Sequence, residues 1–594
     1  MGRWVWSRAE CGSSGDCLEE VSKSAVCARG PITDDLMCLK MMTFGLAKCT
    51  ITGVDGHGPR DGGTPILLVA GAATGHLQAN LQIAAAPPGG AREGSCHWSR
   101  TNSVNLSVLG ADMLALLCLC VVLLVWWFSR PKKSPSTIPG PRPWPLIGSM
   151  HLLAGHETPF QAFTALSRVY GDIFSIHLGS ASCVVVNNFK LIKEVLIAKG
   201  GDFGGRPDFA RFHKLFGGDR NNSLALCDWS SLQKTRRSIA RTYCSPRFTS
   251  LQYDRVNNVG EEELKSFLHQ LDQLPHGQPC NVKPAVLMVC ANMFTQYMCS
   301  TSFAYEDKGF QKIVRYFDEI FWEINQGYAV DFLPWLLPVY TGHMKKISNW
   351  ATEIRQFILS RIIDKHRATL DTNSPPRDFT DALLMHLEED PNMNWQHIIF
   401  ELEDFLGGHS AIGNLVMVTL AAVVDHPEVA KRIQEEVDQV TGGTRCPNLF
   451  DKAAMPYTEA TILETLRTAS SPIVPHVASK DTEIDGHEVS KGTIVFINNY
   501  ELNQGDAYWD EPGLFKPERF LSSTGNIVKP AHFIPFSTGK RTCIGQRLVQ
   551  CFSFVVLATL LQYYDVSTKE SVKVQPGCVA VPPDCFKLVL TPRK

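Results

Sequence analysis

The chain has 594 residues, with 57 basic and 59 acidic side chains, a formal net charge of -2 and 44% hydrophobic residues. That composition excludes a wholly disordered, collagen-like or polytopic membrane chain, and the charge balance excludes a nucleic-acid binder working by bulk electrostatics. Its 19 cysteines are spread along the chain with no zinc-finger C-x-x-C pair, which reads as reduced thiols of a protein facing the cytosol.

Residues 1–105 are rich in Gly, Pro and Ala, as in 53–63 and 84–94, and show no sustained helix or strand period. An unstructured stretch is expected. It reads either as a regulatory or targeting extension or as sequence outside a natural product that starts at Met113. Leu106 to Phe128 is an apolar run with one charge, Asp112, and matches the roughly 20 residues of a membrane-spanning helix. Trp126, Trp127 and Phe128 suit the headgroup boundary. Arg130, Lys132 and Lys133 put the rest of the chain on the cytosolic side. A cleaved signal peptide or a core helix would be the alternative, but the run is not succeeded by a small-residue cleavage site. Pro135, Pro139, Pro141, Pro143 and Pro145 predict a stiff hinge over 129–149.

Residues 150–594 read as one large catalytic domain, mainly α with minor β and without internal repeats. Asp172 to Asn187 alternates like short strands. Helical periodicity dominates 390–440, where His426 to Val440 is an amphipathic helix starting at a proline. Strand signals return at Ile484–Val489 and Thr493–Asn498. Near the C-terminus Cys543 stands between Gly539 and Gly545, with Lys540 and Arg541 before it and an apolar helical run, Leu548 to Leu561, after it. Glycines let the backbone approach a flat ligand. Cations and helix-terminal amides near a sulfur favour thiolate, an axial ligand for haem iron.

From Phe536 to Gly545 the residues FSTGKRTCIG match, at every defined position, the signature F-x-x-G-x-R-x-C-x-G. The chain from about 139 onward therefore resembles the microsomal cytochromes P450. Glu464 and Arg467 match that family's E-x-x-R, and Phe515 to Phe520 matches F-x-P-E-R-F. The resemblance implies a P450 fold, haem b held by Cys543, and a buried triad of Glu464, Arg467 and Arg519. It also implies cofactor contacts from Phe536, Gly539, Arg541, His476 and Trp229. Four residues after Trp229 the family usually has Arg; here it is Gln233, with Lys234 or Arg237 as substitutes. Lys234, Arg237 and Arg241 share a basic helix face, suited to docking a reductase. The family implies an endoplasmic reticulum membrane protein that takes electrons from NADPH–cytochrome P450 reductase.

One motif departs. Where the family has A-G-x-[D/E]-T on its oxygen-activating helix, this chain reads Gly407-Gly408-His409-Ser410-Ala411-Ile412, so the acid and threonine are missing in either register. Gly408, His409 and Ser410 are the candidates there. The glycine opens a groove, while His409, Ser410 and Asn414 would hold water or substrate oxygen; alternatively His409 is satisfied against another helix. This helix, the block from Asn222 to Phe248 and the FGGRPDF segment resemble the arthropod Spook/Spookier group, implying oxidation of a sterol early in ecdysteroid biosynthesis. The missing pair keeps open an isomerase or dehydratase needing no reductase; a non-catalytic sterol-binding protein that kept the fold is a third reading. Asp331 to Pro338 resembles the family's membrane-side entrance loop, with an internal apolar turn as the alternative.

Overall fold

The computed structural model describes residues 106–128 and 138–593. The expected unstructured stretch 1–105, Pro135 and the basic cluster at 130–133 lie outside the described residues. Helix α1 (Leu106–Phe128) covers the whole apolar run, and Leu116, Leu117, Leu119 and Leu123 stand exposed on it.

The proline segment differs from a free spacer over its second half. Ile138 is buried among apolar residues of the body, and the Ser175 N–H donates to the Pro139 carbonyl oxygen at 2.7 Å. The body therefore already includes Ile138, twelve residues before the boundary read from the sequence, because the proline carbonyls can accept bonds from a neighbouring strand.

Helix α2 (Pro159–Tyr170) precedes a hairpin of β1 (Ile173–Leu178) and β2 (Ala181–Val186). Strand β3 is Pro279–Cys280, β4 His476–Val477, β5 Thr482–Ile484, β6 His487–Val489 and β7 Ile494–Ile497. β8 (Tyr564–Ser567) and β9 (Leu588–Pro592) close the chain. The main sheet has the order β1-β2-β7-β4, with β7 parallel to β2. β7 is buried at all four positions, as expected of a strand covered on both faces.

The helices around the site are α3 (Ser231–Cys244), α4 (Lys283–Cys299), α5 (Lys308–Asn325), α6 (Trp395–Leu406), α7 (Gly408–Asp425), α8 (Pro427–Thr441), α9 (Pro456–Ala469) and α10 (Gln546–Tyr563). In α8, Pro427 opens the first turn and Val429, Ile433 and Val437 are buried at a spacing of four. Each such side chain contributes roughly 1.5–3 kcal/mol by leaving water. α4, α7 and α10 are buried nearly all round, which their sequences permit because almost no position is charged. α7 packs on α4, α9 and α10, so the glycine motif sits among the core helices of the body. The fold is mainly α with small sheets, as the sequence predicts.

Candidate active site

The cysteine loop is held by its own backbone. Gly539 has φ 73°, and a Cβ there would lie 2.0 Å from the Leu196 carbonyl oxygen. Only glycine fits that approach. Phe536 accepts a bond from the Cys543 N–H at 2.9 Å, and its ring packs partly buried against the main core. From α3, Arg237 Nη2 donates to the Thr542 oxygen at 2.6 Å and Ser245 Oγ to the Ile544 oxygen at 3.3 Å. The Cys543 sulfur faces the Gly545 and Gln546 N–H groups where α10 begins.

The sequence predicts a thiol biased to thiolate by these amides and cations. Both are present, but desolvation outweighs them and pushes the Cys543 pKa up. Cys543 is nevertheless exposed as a residue, while protein surrounds its thiol. A residue that is open yet desolvated at its thiol fits a side chain facing a slot within the protein and not bulk water. A soft donor in such a slot loses its proton when a metal takes the proton's place.

Three guanidinium groups and an imidazole gather near this loop. Arg541 Nη2 donates to the Ala225 oxygen at 2.8 Å, while its buried Nη1 has no partner. Arg206 Nε donates to the same Ala225 oxygen at 3.3 Å, and its Nη1 to the Val474 and Pro475 oxygens at 2.9 and 3.1 Å. His476 Nδ1 donates to the Phe203 oxygen at 2.7 Å, and its Nε2 is also buried and unpartnered. Burial first, then mutual repulsion with Arg237, lowers the Arg541 pKa to about 10. Burial, followed by the charges of Arg541 and Arg237, lowers that of Arg206 well below its usual value. Packed guanidinium groups, with orphaned nitrogens on Arg541 and His476, fit an anionic group. A sulfur donor, a slot and this cation cluster together fit haem: Cys543 for the iron, Arg541, His476, Arg206 and Arg237 for the propionates.

The structure sorts the expected contacts. Arg237 is buried and Lys234 exposed, so the contact offered to either falls to Arg237 and Lys234 is set aside: α3 turns its position 234 to solvent. Nor does Arg237 belong to an exposed basic face, and its neighbour Arg236 is buried too. Arg236 is 1% exposed and pairs with Glu401 at 2.9 Å. Gln233 is buried, its Nε2 bonding the Leu224 oxygen at 2.9 Å. Trp229 is half-buried with Gly204 packed on its Cβ and Lys540 over its ring. Arg206 was missed from the sequence, where nothing marks one arginine of FGGRPDF as facing a site 335 residues away.

Glu464 and Arg467 are fully buried and joined twice, at 2.8 and 2.7 Å. Arg519 Nε stands 3.4 Å from Glu464 Oε1. The spare Arg467 donors reach the Asn503, Pro512 and Leu514 oxygens. The triad is thus a staple between α9 and the irregular chain leading to the cysteine loop.

At the glycine motif the helix breaks. α6 stops at Leu406, and Ser410 N–H bonds the Gly407 oxygen, not the Leu406 oxygen a continuous helix would use. The His409 imidazole takes that role, its Nδ1 2.5 Å from the Leu406 oxygen. Its ring meets Phe317 of α5 edge-on, and burial lowers its pKa to about 4. Of the two readings open for His409, these contacts support the one in which the imidazole is satisfied and faces another helix. The break frees a carbonyl that the adjacent imidazole satisfies, which directs the ring at α5. Ser410 is fully buried, its Oγ 3.4 Å from His409 Nε2. Asn414 bonds Asp318 at 2.8 Å and the Ser410 oxygen at 2.7 Å. Gly408 and Ala411 remain partly open while Ile412 is closed. Asp404, whose pKa burial raises to about 6, accepts the Leu224 N–H at 2.6 Å and the Ser223 hydroxyl at 3.0 Å.

Comparison with known proteins decides the family. The cytochrome P450 family model matches residues 138–589. This chain belongs to the cytochromes P450. It is 52% identical to cytochrome P450 307a1 of Drosophila melanogaster over 483 residues, 77% of this chain and 89% of the relative, which groups it with the Spook-like members. Cytochrome P450 2E1 of Mesocricetus auratus is 30% identical over 510 residues, 82% of this chain and all of the relative. Cytochrome P450 2U1 of Mus musculus is 29% identical over 488 residues, 77% of this chain and 90% of the relative. The protein is a haem-thiolate monooxygenase.

When bound, haem supplies the iron that reduces and splits dioxygen with electrons from a redox partner. The chain's own residues do the rest. The Gly545 and Gln546 amides and Arg237 would stabilise negative charge at Cys543, and Arg541, His476 and Arg206 would hold the propionates.

Proposed function

We propose that this monooxygenase oxidises a sterol at an early step of ecdysteroid biosynthesis, in the endoplasmic reticulum membrane. The observation that carries the reading is the 52% identity to the Drosophila relative over 483 residues. A cavity of about 190 Å³ supports it. Phe160, Phe163, Phe209, Phe212, Phe332 and Phe496 line its walls, which is a surface for an apolar ring system. The electron donor is NADPH–cytochrome P450 reductase. Lys234, Arg241, Lys540 and Arg547 are exposed or partly exposed on and beside the α3–cysteine-loop contact, a positive face for an acidic partner.

Helix α1 is the anchor, and the exposed Trp335 and Val339 of the Asp331–Pro338 region and the residue just beyond it add a second apolar contact with the bilayer. The test is incubation of purified protein, reductase and NADPH with a panel of sterols, with products identified by mass. A product carrying added oxygen, dependent on NADPH and reductase, is expected. Turnover confined to non-sterol substrates would overturn the sterol reading.

A further inference from the structure

The phenylalanine-lined cavity shares a wall with the cation cluster. Leu226, Val474 and Pro475 line it. The Val474 and Pro475 carbonyls are bonded by Arg206, and Ala225, next to Leu226, by Arg541. Asn325 to Tyr328, where α5 ends, form another wall. Gln326 is the C-cap of α5. It is 3% exposed, and its Nε2 is buried without a partner.

Two polar side chains of the same walls are engaged. Arg211 pairs with Asp331 at 2.7 Å, and Asn325 Nδ2 donates to the Phe321 oxygen at 2.8 Å. Thr158 Oγ1 also lacks a bond, but as the N-cap of α2 it faces that helix's own first turn. A buried amide without a partner is costly unless something completes it, and here the open side is an apolar cavity.

We infer that Gln326 is a specificity-determining contact of this enzyme, its side-chain amide holding the hydroxyl of a lipophilic substrate at the α5 wall. This rests on the sterol reading above. The rest of the substrate is thereby turned toward the wall shared with Arg206 and Arg541. A hydroxyl suits this role better than a ketone, because it can meet either the N–H or the C=O of the amide.

The experiment is a titration of the purified holoprotein with cholesterol and with its 3-deoxy hydrocarbon, following the ligand-induced shift of the Soret band. Wild type is expected to bind the alcohol about tenfold more tightly than the hydrocarbon. Gln326→Met, close in volume, is expected to remove that preference by weakening the alcohol alone. Equal affinity of wild type for the two ligands, or equal weakening of both by Gln326→Met, overturns the assignment of Gln326 while leaving the sterol reading standing. Binding of neither ligand to wild type removes the sterol reading and this inference with it. The wild-type comparison needs no variant, so poor folding of Gln326→Met does not protect the proposal.

Discussion

Arg541 Nη2 is bonded to the Ala225 carbonyl at 2.8 Å while Nη1 of the same guanidinium is buried with nothing to bond. One half of the group fixes its position, and the other half waits for an anion. His476 repeats the arrangement, anchored through Nδ1 and open at Nε2. Removing either should weaken haem retention without removing the iron ligand. Each charge-assisted bond lost costs about 1.5–3 kcal/mol. Arg541→Leu and His476→Leu should therefore lose haem to an acceptor globin roughly ten- to a hundredfold faster. Unchanged transfer rates would remove both residues from the propionate role.

The buried pair of Glu464 and Arg467 makes a second prediction. Glu464→Gln leaves the Arg467 charge buried with its bidentate partner neutralised and the Arg519 contact weakened. Breaking such a pair costs about 3–5 kcal/mol. Urea unfolding should show a lower midpoint, with haem release in the same transition. An unshifted midpoint would mean that the staple contributes nothing.

Gly539→Ala adds a methyl where the Leu196 carbonyl oxygen already stands and forces alanine to φ 73°. The strain alone is on the order of 1–3 kcal/mol. Because the clash is with backbone, the cysteine loop must shift. Reduced haem occupancy at normal expression is expected, and wild-type occupancy would contradict the placement of the loop.

His409 sets a pH dependence. Burial lowers its pKa from 6.5 to about 4 in the folded protein, so the folded state resists a proton that the unfolded chain accepts. Its contribution to stability is complete above pH 6.5 and is lost as pH falls toward 4. The loss amounts to roughly 3 kcal/mol. His409→Asn should lower stability at neutral pH but give a flatter fall between pH 6.5 and 4. His397, also lowered by burial, remains in both proteins, so the difference in slope isolates His409. Equal slopes would contradict the neutral, buried imidazole.

Much of this was legible from short-range pattern. The cysteine loop, the Glu464–Arg467 spacing, the β1–β2 hairpin and α8 all arise from neighbours within a few residues. What was hidden depends on long-range geometry. Arg206 reaches Pro475 across 269 positions, and no local signal distinguishes it from a surface arginine. The direction of His409 was open because the break after Leu406 resets which residues share a face, so the even spacing of a continuous helix misplaces the ring. Arg237 and Lys234 differ by one turn on paper, and only the packing of α3 against the cysteine loop decides which of them is buried.

The central claim is that the Cys543 sulfur holds the haem iron. The reduced carbon monoxide difference spectrum of the purified protein measures it directly. Wild type should give the thiolate-ligated Soret band, and Cys543→Ala, folded to the same unfolding midpoint, should lose it. A Cys543→Ala protein with the wild-type spectrum, or a folded wild type that takes up no haem, would contradict the account.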